Sequence, residues 1–307
     1  MPSKHPVLAA CIILLFALSW LIAAVSCHPS QSNGIRILIS TEKSDRLDFA
    51  VSGTVRLKSL TLSQGSFHIE LQNGTLLLYD SQNNKLASGN TLVLSSGSSA
   101  GFVKIYNRLY GNACYAGSVT VSPDRDGHLR VVETIPVDAY IQSVVSCCGD
   151  SLPEEAIKAL TVIVHNYTAA CVRGGSSFDT SDEPYPYAGS LSCPESYLPV
   201  MRQVLNDRLV SDGSFLCPEL RGSNGGVYRI IPSSPETEAV EISDRFDGTD
   251  PGSVSPTPSG SCISLRSVQA RAEAGHSYQE ILSAYFPYAS LVHDGNTINL
   301  SDPPLQQ

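Results

Sequence analysis

The chain has 307 residues, 42% of them hydrophobic and 16% charged, which is too apolar and too weakly charged for a disordered segment and long enough to bury one sizeable core. Its formal net charge is −9 with a pI near 5.2, and its 20 basic side chains form no run. The electrostatic attraction that holds proteins on phosphate backbones is therefore missing, and nucleic acid is not an expected partner.

The stretch from Val7 to Val25 is apolar apart from Ser19 and carries no charge. At ~1.5 Å per residue it reaches roughly 28 Å as a helix, about the hydrocarbon thickness of a bilayer. Residues 1–27 therefore read first as a single N-terminal transmembrane helix that anchors the chain, with its bulk on the extracytoplasmic face. Lys4 precedes the span and Arg36 follows it, so the charge bias that sets orientation is small. Two alternatives stay open: lipidation at Cys27, which closes the apolar run after AAVS, and a cleaved secretory signal. Residues 28–34, HPSQSNG, read as a polar linker.

From Ile35 the sequence alternates apolar and polar residues in short runs: IRILIS, VSGTVRLKSLTL, FHIELQ, GTLLLYD, NTLVLSS, FVKIYN, AGSVTVSP and HLRVVETIPV. Period-2 alternation broken by Gly, Asn and Ser predicts antiparallel strands and hairpins. At Val137 the period changes. VDAYIQSVV sets Val137, Tyr140, Ile141, Val144 and Val145 on one helical face. SLPEEAIKALTVIVHNYTAACVR follows, with Ser151 at capping-box spacing from Glu154, Pro153 suited to a first turn, and an interior apolar nearly all round, which predicts a buried helix. Further on, YLPVMRQVLNDRLVSDGSF predicts a helix, a turn and a strand. The stretch 232–261, rich in Pro, Ser, Gly and acids, reads as an exposed excursion. LRSVQARAEAGHSYQEILSAYF predicts a helix broken at Gly275 and restarted at His276 or Ser277, with Tyr278, Ile281, Leu282 and Tyr285 inward.

The chain has 9 cysteines. Cys11 lies in the apolar span and Cys27 at its edge, which leaves an odd seven beyond it, and connectivity is not readable from spacing. No CxxC and no His/Cys cluster at finger spacing occurs, so neither a metal nor a cofactor is expected.

The order of GHLRVVETIPVDAYIQSVV, PEEAIKALTVIVHNYTAA, DTSDEPYPYAG, GSNGG and GHSYQEILSAYF resembles the SpoIID/LytB family, the stage II sporulation protein D and amidase-enhancer proteins. The likeness covers roughly residues 35–295, with 296–307 as a tail. It rests most on IPVDAYIQSVV, EEAIKAL and GHSYQEILSAYFP. The resemblance implies an α+β fold, β-rich at its N-terminal part and followed by helices that form a glycan-binding groove. It further implies a wall protein of sporulation, at engulfment, that acts on peptidoglycan glycan strands as a lytic transglycosylase, with the strands, the membrane and a partner wall hydrolase as its contacts. The alternative is a degenerate member that holds glycan or that hydrolase without cutting.

A lytic transglycosylase needs one carboxylic acid with a raised pKa to protonate the glycosidic oxygen. Set on the family's VVAAE, the segment VVSCC puts Cys148 where the glutamate is expected. The candidates for the acid role are therefore Cys148 itself, Asp150 just beyond it and Glu155 at the helix start. Glu154 and Glu155 also suit helix capping. His165 stands where the family has arginine, and Tyr167 keeps its tyrosine. Tyr187 with Gly189 matches the end of the acidic loop, without the cysteine pair that some members use there for zinc. By the same resemblance, His165, Tyr167, Tyr187, Ser223, Asn224 and Gly225 are candidate glycan contacts. Core packing for His165 and the tyrosines, a hairpin turn for 223–226, and plain structural thiols for Cys147 and Cys148 stay open beside those roles.

Overall fold

The computed structural model divides into two compact units, Met1–Gly34 and Ile35–Gln307. It describes residues 34–39, 43–96, 101–106, 113–173, 187, 189, 194–222, 227–230, 240–248 and 262–300. The anchor, lipidation and signal readings for 1–27 and the linker 28–34 thus fall outside these residues, apart from Gly34. No helix among the described residues is long and apolar enough to cross a membrane.

The architecture is mixed α+β. Each of the eight alternating runs forms at least one strand, and Arg46–Ser52, which reaches into the second run, alternates in the same way, with Leu47, Phe49 and Val51 buried. One sheet holds six strands in the order Gly34–Leu38, Leu129–Pro136, Ser118–Pro123, Leu92–Ser95, Val55–Leu57, Leu60–Leu62. A second six-stranded sheet runs Ala113–Tyr115, Phe102–Ile105, Arg46–Ser52, Gly65–Gln72, Thr75–Asp80, Lys85–Gly89. The apolar faces of both enter one contiguous core. The registers resolved within these sheets are antiparallel, as the hairpin spacing predicts.

Five helices are described: α1 (Val137–Cys147), α2 (Glu154–Arg173), α3 (Tyr197–Val204), α4 (Leu265–Glu273) and α5 (Tyr278–Tyr285). Helix α1 continues directly from the strand Leu129–Pro136 and buries Tyr140, Ile141, Val144 and Val145, the face its spacing predicts. Helix α2 is the pivot of the helical part, packed on α1, α3, α4 and α5. From Ala156 to Thr168 only Lys158 and Tyr167 escape full burial, in line with its apolar interior. The break at Gly275 is real: its φ of 89° is a left-handed conformation that suits glycine. Ser277 then opens α5 with a complete capping box, its hydroxyl accepting from the Glu280 amide while the Glu280 carboxylate accepts from the Ser277 amide.

Three local readings change. Helix α2 starts at Glu154 with the Pro153 carbonyl accepting from Ile157, so Ser151 sits in the preceding loop, exposed. Within the supposed excursion 232–261, the strand Val240–Ser243 pairs with Val227–Ile230, and Asp244 and Asp247 are buried. Asp244 accepts from Ser267 at 2.7 Å and from Tyr285 at 3.0 Å, contacts that fix this segment to α4 and α5. The supposed tail begins as structure: Asn296–Asn299 pairs with Ser290–His293, and Leu300 is buried. A further strand pair, Glu219–Arg221 with Cys262–Ser264, which the sequence pattern does not predict, is parallel.

Candidate functional site

The hairpin of α1 and α2 brings most of the candidate residues into one part of the molecule. Cys148 caps α1, its amide donating to the Val145 carbonyl at 3.1 Å and its thiol to the Val144 carbonyl at 3.4 Å. The side chain is 8% exposed. Burial, with the neighbouring Cys147 adding to it, pushes the Cys148 thiol up to about 12. A group that weak is badly matched to donating a proton at neutral pH, and its thiolate is not available as a nucleophile. Cys147 and Cys148 are not joined by a disulfide.

The loop from Gly149 to Pro153 is clamped from α3. The Tyr197 hydroxyl accepts from the Leu152 amide at 2.7 Å and donates to the Gly149 carbonyl at 2.8 Å. Asp150 lies in this loop and is exposed. Glu155 is half-buried and engaged at both oxygens: Oε2 accepts from the Tyr278 amide at 2.6 Å and Oε1 from Lys158 Nζ at 2.8 Å. Lys158 also meets Glu154 at 2.8 Å. Glu155 thus ties the first turn of α2 to the first turn of α5, the position where a carboxylate is favoured by both helix ends.

His165 is buried on α2 and accepts from Arg208 Nη1 at 2.9 Å. Burial first, then the Arg208 charge, hold its imidazole down to about 4, with Asp138 of α1 acting weakly in the opposite sense. It is a neutral acceptor, so the guanidinium at this point belongs to Arg208, which also donates to the Leu205 and Asp207 carbonyls. Next to it, Asn166 reads the backbone like a strand, donating to the Leu209 carbonyl and accepting from the Leu209 amide at 2.8 Å. Tyr167 is half-buried against the core.

Tyr187 and Gly189 are the described ends of the acidic loop. The Tyr187 hydroxyl donates to Glu133 Oε2 at 2.5 Å, and Glu133, fully buried, accepts from the Gly117 amide at 2.9 Å through Oε1. The Tyr187 ring lies 5.6 Å from Tyr140 and 6.5 Å from Tyr115. Gly189 bridges to Cys114, and its carbonyl accepts from the Ser143 hydroxyl of α1. With φ of 92°, a side chain there would lie 2.5 Å from the Cys114 carbonyl oxygen, so glycine is required by both conformation and space. The end of the loop is therefore pinned to α1 and to the strands on either side of it. Ser223, Asn224 and Gly225 lie outside the described residues.

One centre was not foreseen. Asp207, 1% exposed, accepts from the Tyr278 hydroxyl at 3.1 Å and from His293 Nδ1 at 2.8 Å. Burial raises its pKa against the pull of His293 and Tyr278, and the Tyr278 phenol is raised in turn by burial and by Asp207. Nothing near Asn206–Asp207 in sequence marks it, because its partners are 71 and 86 residues away. Glu133 did carry a signal: in LRVVETIP it shares the inward alternation with Leu129, Val131 and Ile135. Among the described residues no group of His, Cys, Asp and Glu could hold a metal ion. Comparisons with known protein families and with curated proteins find no match to this chain.

Proposed function

We propose that this chain is a SpoIID-like protein of the cell envelope that holds peptidoglycan glycan strands, or a partner wall hydrolase, without cleaving them. The order of its motifs supports the likeness. One observation carries the choice between binding and cutting: at the position where the family likeness calls for a glutamate, the Cys148 thiol is buried, bonded to the Val144 carbonyl and pushed up to about 12. The two nearby carboxylates do not replace it, Asp150 being exposed and Glu155 committed to Tyr278 and Lys158. The pinned end of the acidic loop and the contact of His165 with Arg208 hold the helix pair in a fixed arrangement. Attachment through residues 1–27 to the extracytoplasmic face completes this reading.

The test is incubation of the purified protein, without residues 1–27, with peptide-free glycan strands. The expected result is co-sedimentation with the strands and no anhydro-muramyl ends among the products. Anhydro ends from the unaltered protein overturn the non-cleaving reading, and absence of both binding and product overturns the glycan assignment. A Cys148→Glu variant that gains cleavage would show that the remaining groove is competent. An intact N-terminus in the mature mass supports the membrane span, and a diacylglyceryl Cys27 replaces it with a lipoprotein.

A further inference from the structure

We propose that the outward face of the second sheet is a separate binding site for a neutral polysaccharide strand. The register brings four residues from four neighbouring strands into one row. Tyr106 lies opposite Asp48, whose carbonyl accepts from the Tyr106 amide at 3.2 Å; Asp48 pairs with His68, and His68 with Tyr79. Strands stand about 4.8 Å apart, so the two tyrosines are about 14 Å from each other across the row. Beside the row, Lys104, Ala50 and Ser66 are likewise cross-strand neighbours, and the two small residues keep the sheet face low alongside Asp48 and His68.

The polar groups of this row are already fixed. Arg46 grips Asp48 through Nε at 3.0 Å and Nη2 at 2.8 Å, and reaches Glu70 through Nη1 at 3.0 Å. His68 is buried although it faces outward, stacked flat on Tyr79 at 5.0 Å and 17° with its Nε2 3.6 Å from Glu70. At the other end Tyr106 is 42% exposed, with the Lys104 ammonium 5.6 Å from its ring centre. An ordinary solvated sheet face has mobile, scattered polar side chains; here carboxylates and an imidazole are held between two aromatic rings.

The occupant follows from the chemistry. The apolar C–H face of a sugar ring stacks on aromatic rings, and its hydroxyls pair with the partly exposed carboxylates of Asp48 and Glu70, which Arg46 holds in place. The charged groups in and beside the row are Arg46, Lys104 and Lys85 against Asp48 and Glu70, a mixed set with no strong field to select a nucleic acid, an anionic lipid surface or a charged peptide. A row spanning four strands suits an extended chain of sugars better than a single ring. That the natural strand is the N-acetylated glycan of the wall rests on the function proposed above; the site itself asks only for a neutral glycan.

The experiment is calorimetric titration of the intact chain with a β-1,4-linked N-acetylglucosamine oligomer and, separately, with a β-1,4-linked glucose oligomer. Binding is expected for at least one, weakened about tenfold or more by Tyr106→Ala and by Tyr79→Ala. Tyr79→Phe, which keeps the ring on His68, controls for damage to the sheet and should retain most of the affinity. No binding of either oligomer, or unchanged affinity in both tyrosine-to-alanine variants, overturns the site. Binding of the glucose oligomer alone keeps the site and removes its connection to the wall.

Discussion

The loop from Cys148 to Glu155 and the junction around Asp207 hold the same kinds of groups in opposite states. In the loop, the thiol is buried in apolar surroundings and the carboxyl of Asp150 is left in water. At the junction, one carboxyl is buried with donors on both oxygens, linking the turn after α3 to α5 and to the strand Ser290–His293. Burial raises a carboxyl's pKa and donating partners lower it, and at Asp207, whose partners come from two distant parts of the chain, burial outweighs them. The raised carboxyl of Asp207 thus lies outside the region the motifs single out, at a place where it joins elements.

The largest effect expected from this contrast is at the junction. Asp207→Ala leaves the Tyr278 hydroxyl and the His293 ring without their carboxylate and should destabilise the fold by roughly 3–5 kcal/mol, as for other broken buried pairs. Chemical denaturation measures it; a loss below about 1 kcal/mol would mean that water replaces the carboxylate freely and that the junction is not a joining point.

His165 provides the next largest, as a dependence on pH. Its folded pKa is held down to about 4 from an ordinary 6.5, so between those values the unfolded chain binds a proton that the folded chain refuses. Stability contributed by the neutral ring is complete above pH 6.5 and is lost as the pH falls toward 4, to a total of about 3 kcal/mol. His165→Gln keeps an acceptor for Arg208 and removes the titration. The difference in stability between the two proteins should therefore shift in favour of the variant on acidification through this window. Parallel curves from pH 7 to 4 would place the histidine in a wetter setting.

Much of the architecture was legible from pattern alone. Leu47, Phe49 and Val51 are buried because alternation sends them to one face, and Tyr278, Ile281, Leu282 and Tyr285 because 3.6-residue spacing does. The capping box at Ser277 and the break at Gly275 are local chemistry, equally visible. What pattern does not carry is pairing at a distance. Asp244 looks like one more acid in a Pro- and Ser-rich stretch, yet it lies under Arg271, Ser267 and Tyr285. Glu155 reads as a capping residue and is one, although the helix it caps across the fold begins 123 residues later. For the candidate site, the motifs located the hairpin and the pinned end of the loop, while the state of each group depended on Tyr197 and Arg208, which no motif names, and on Glu133, which strand alternation alone marks.

The smallest effects sharpen the contrast from the loop side. Tyr197→Phe removes one hydroxyl that serves two backbone groups, the Leu152 amide and the Gly149 carbonyl. Leu152 is buried, so its amide has little access to water, and a loss of about 1–2 kcal/mol is expected. Asp150→Asn touches an exposed side chain and should stay within about 0.5 kcal/mol. The two together separate a loop held for structure from one held for chemistry. If the clamp exists to present Asp150 to a substrate, Tyr197→Phe and Asp150→Asn should both weaken binding to glycan strands, and the second should do so with no change in stability. If the clamp only closes the turn into α2, Asp150→Asn should bind as the unaltered protein does, and Tyr197→Phe should lose affinity no more than its stability loss accounts for. The exposed position of Asp150 predicts the second outcome, and a strand-binding defect in Asp150→Asn alone would return the loop to the list of working parts.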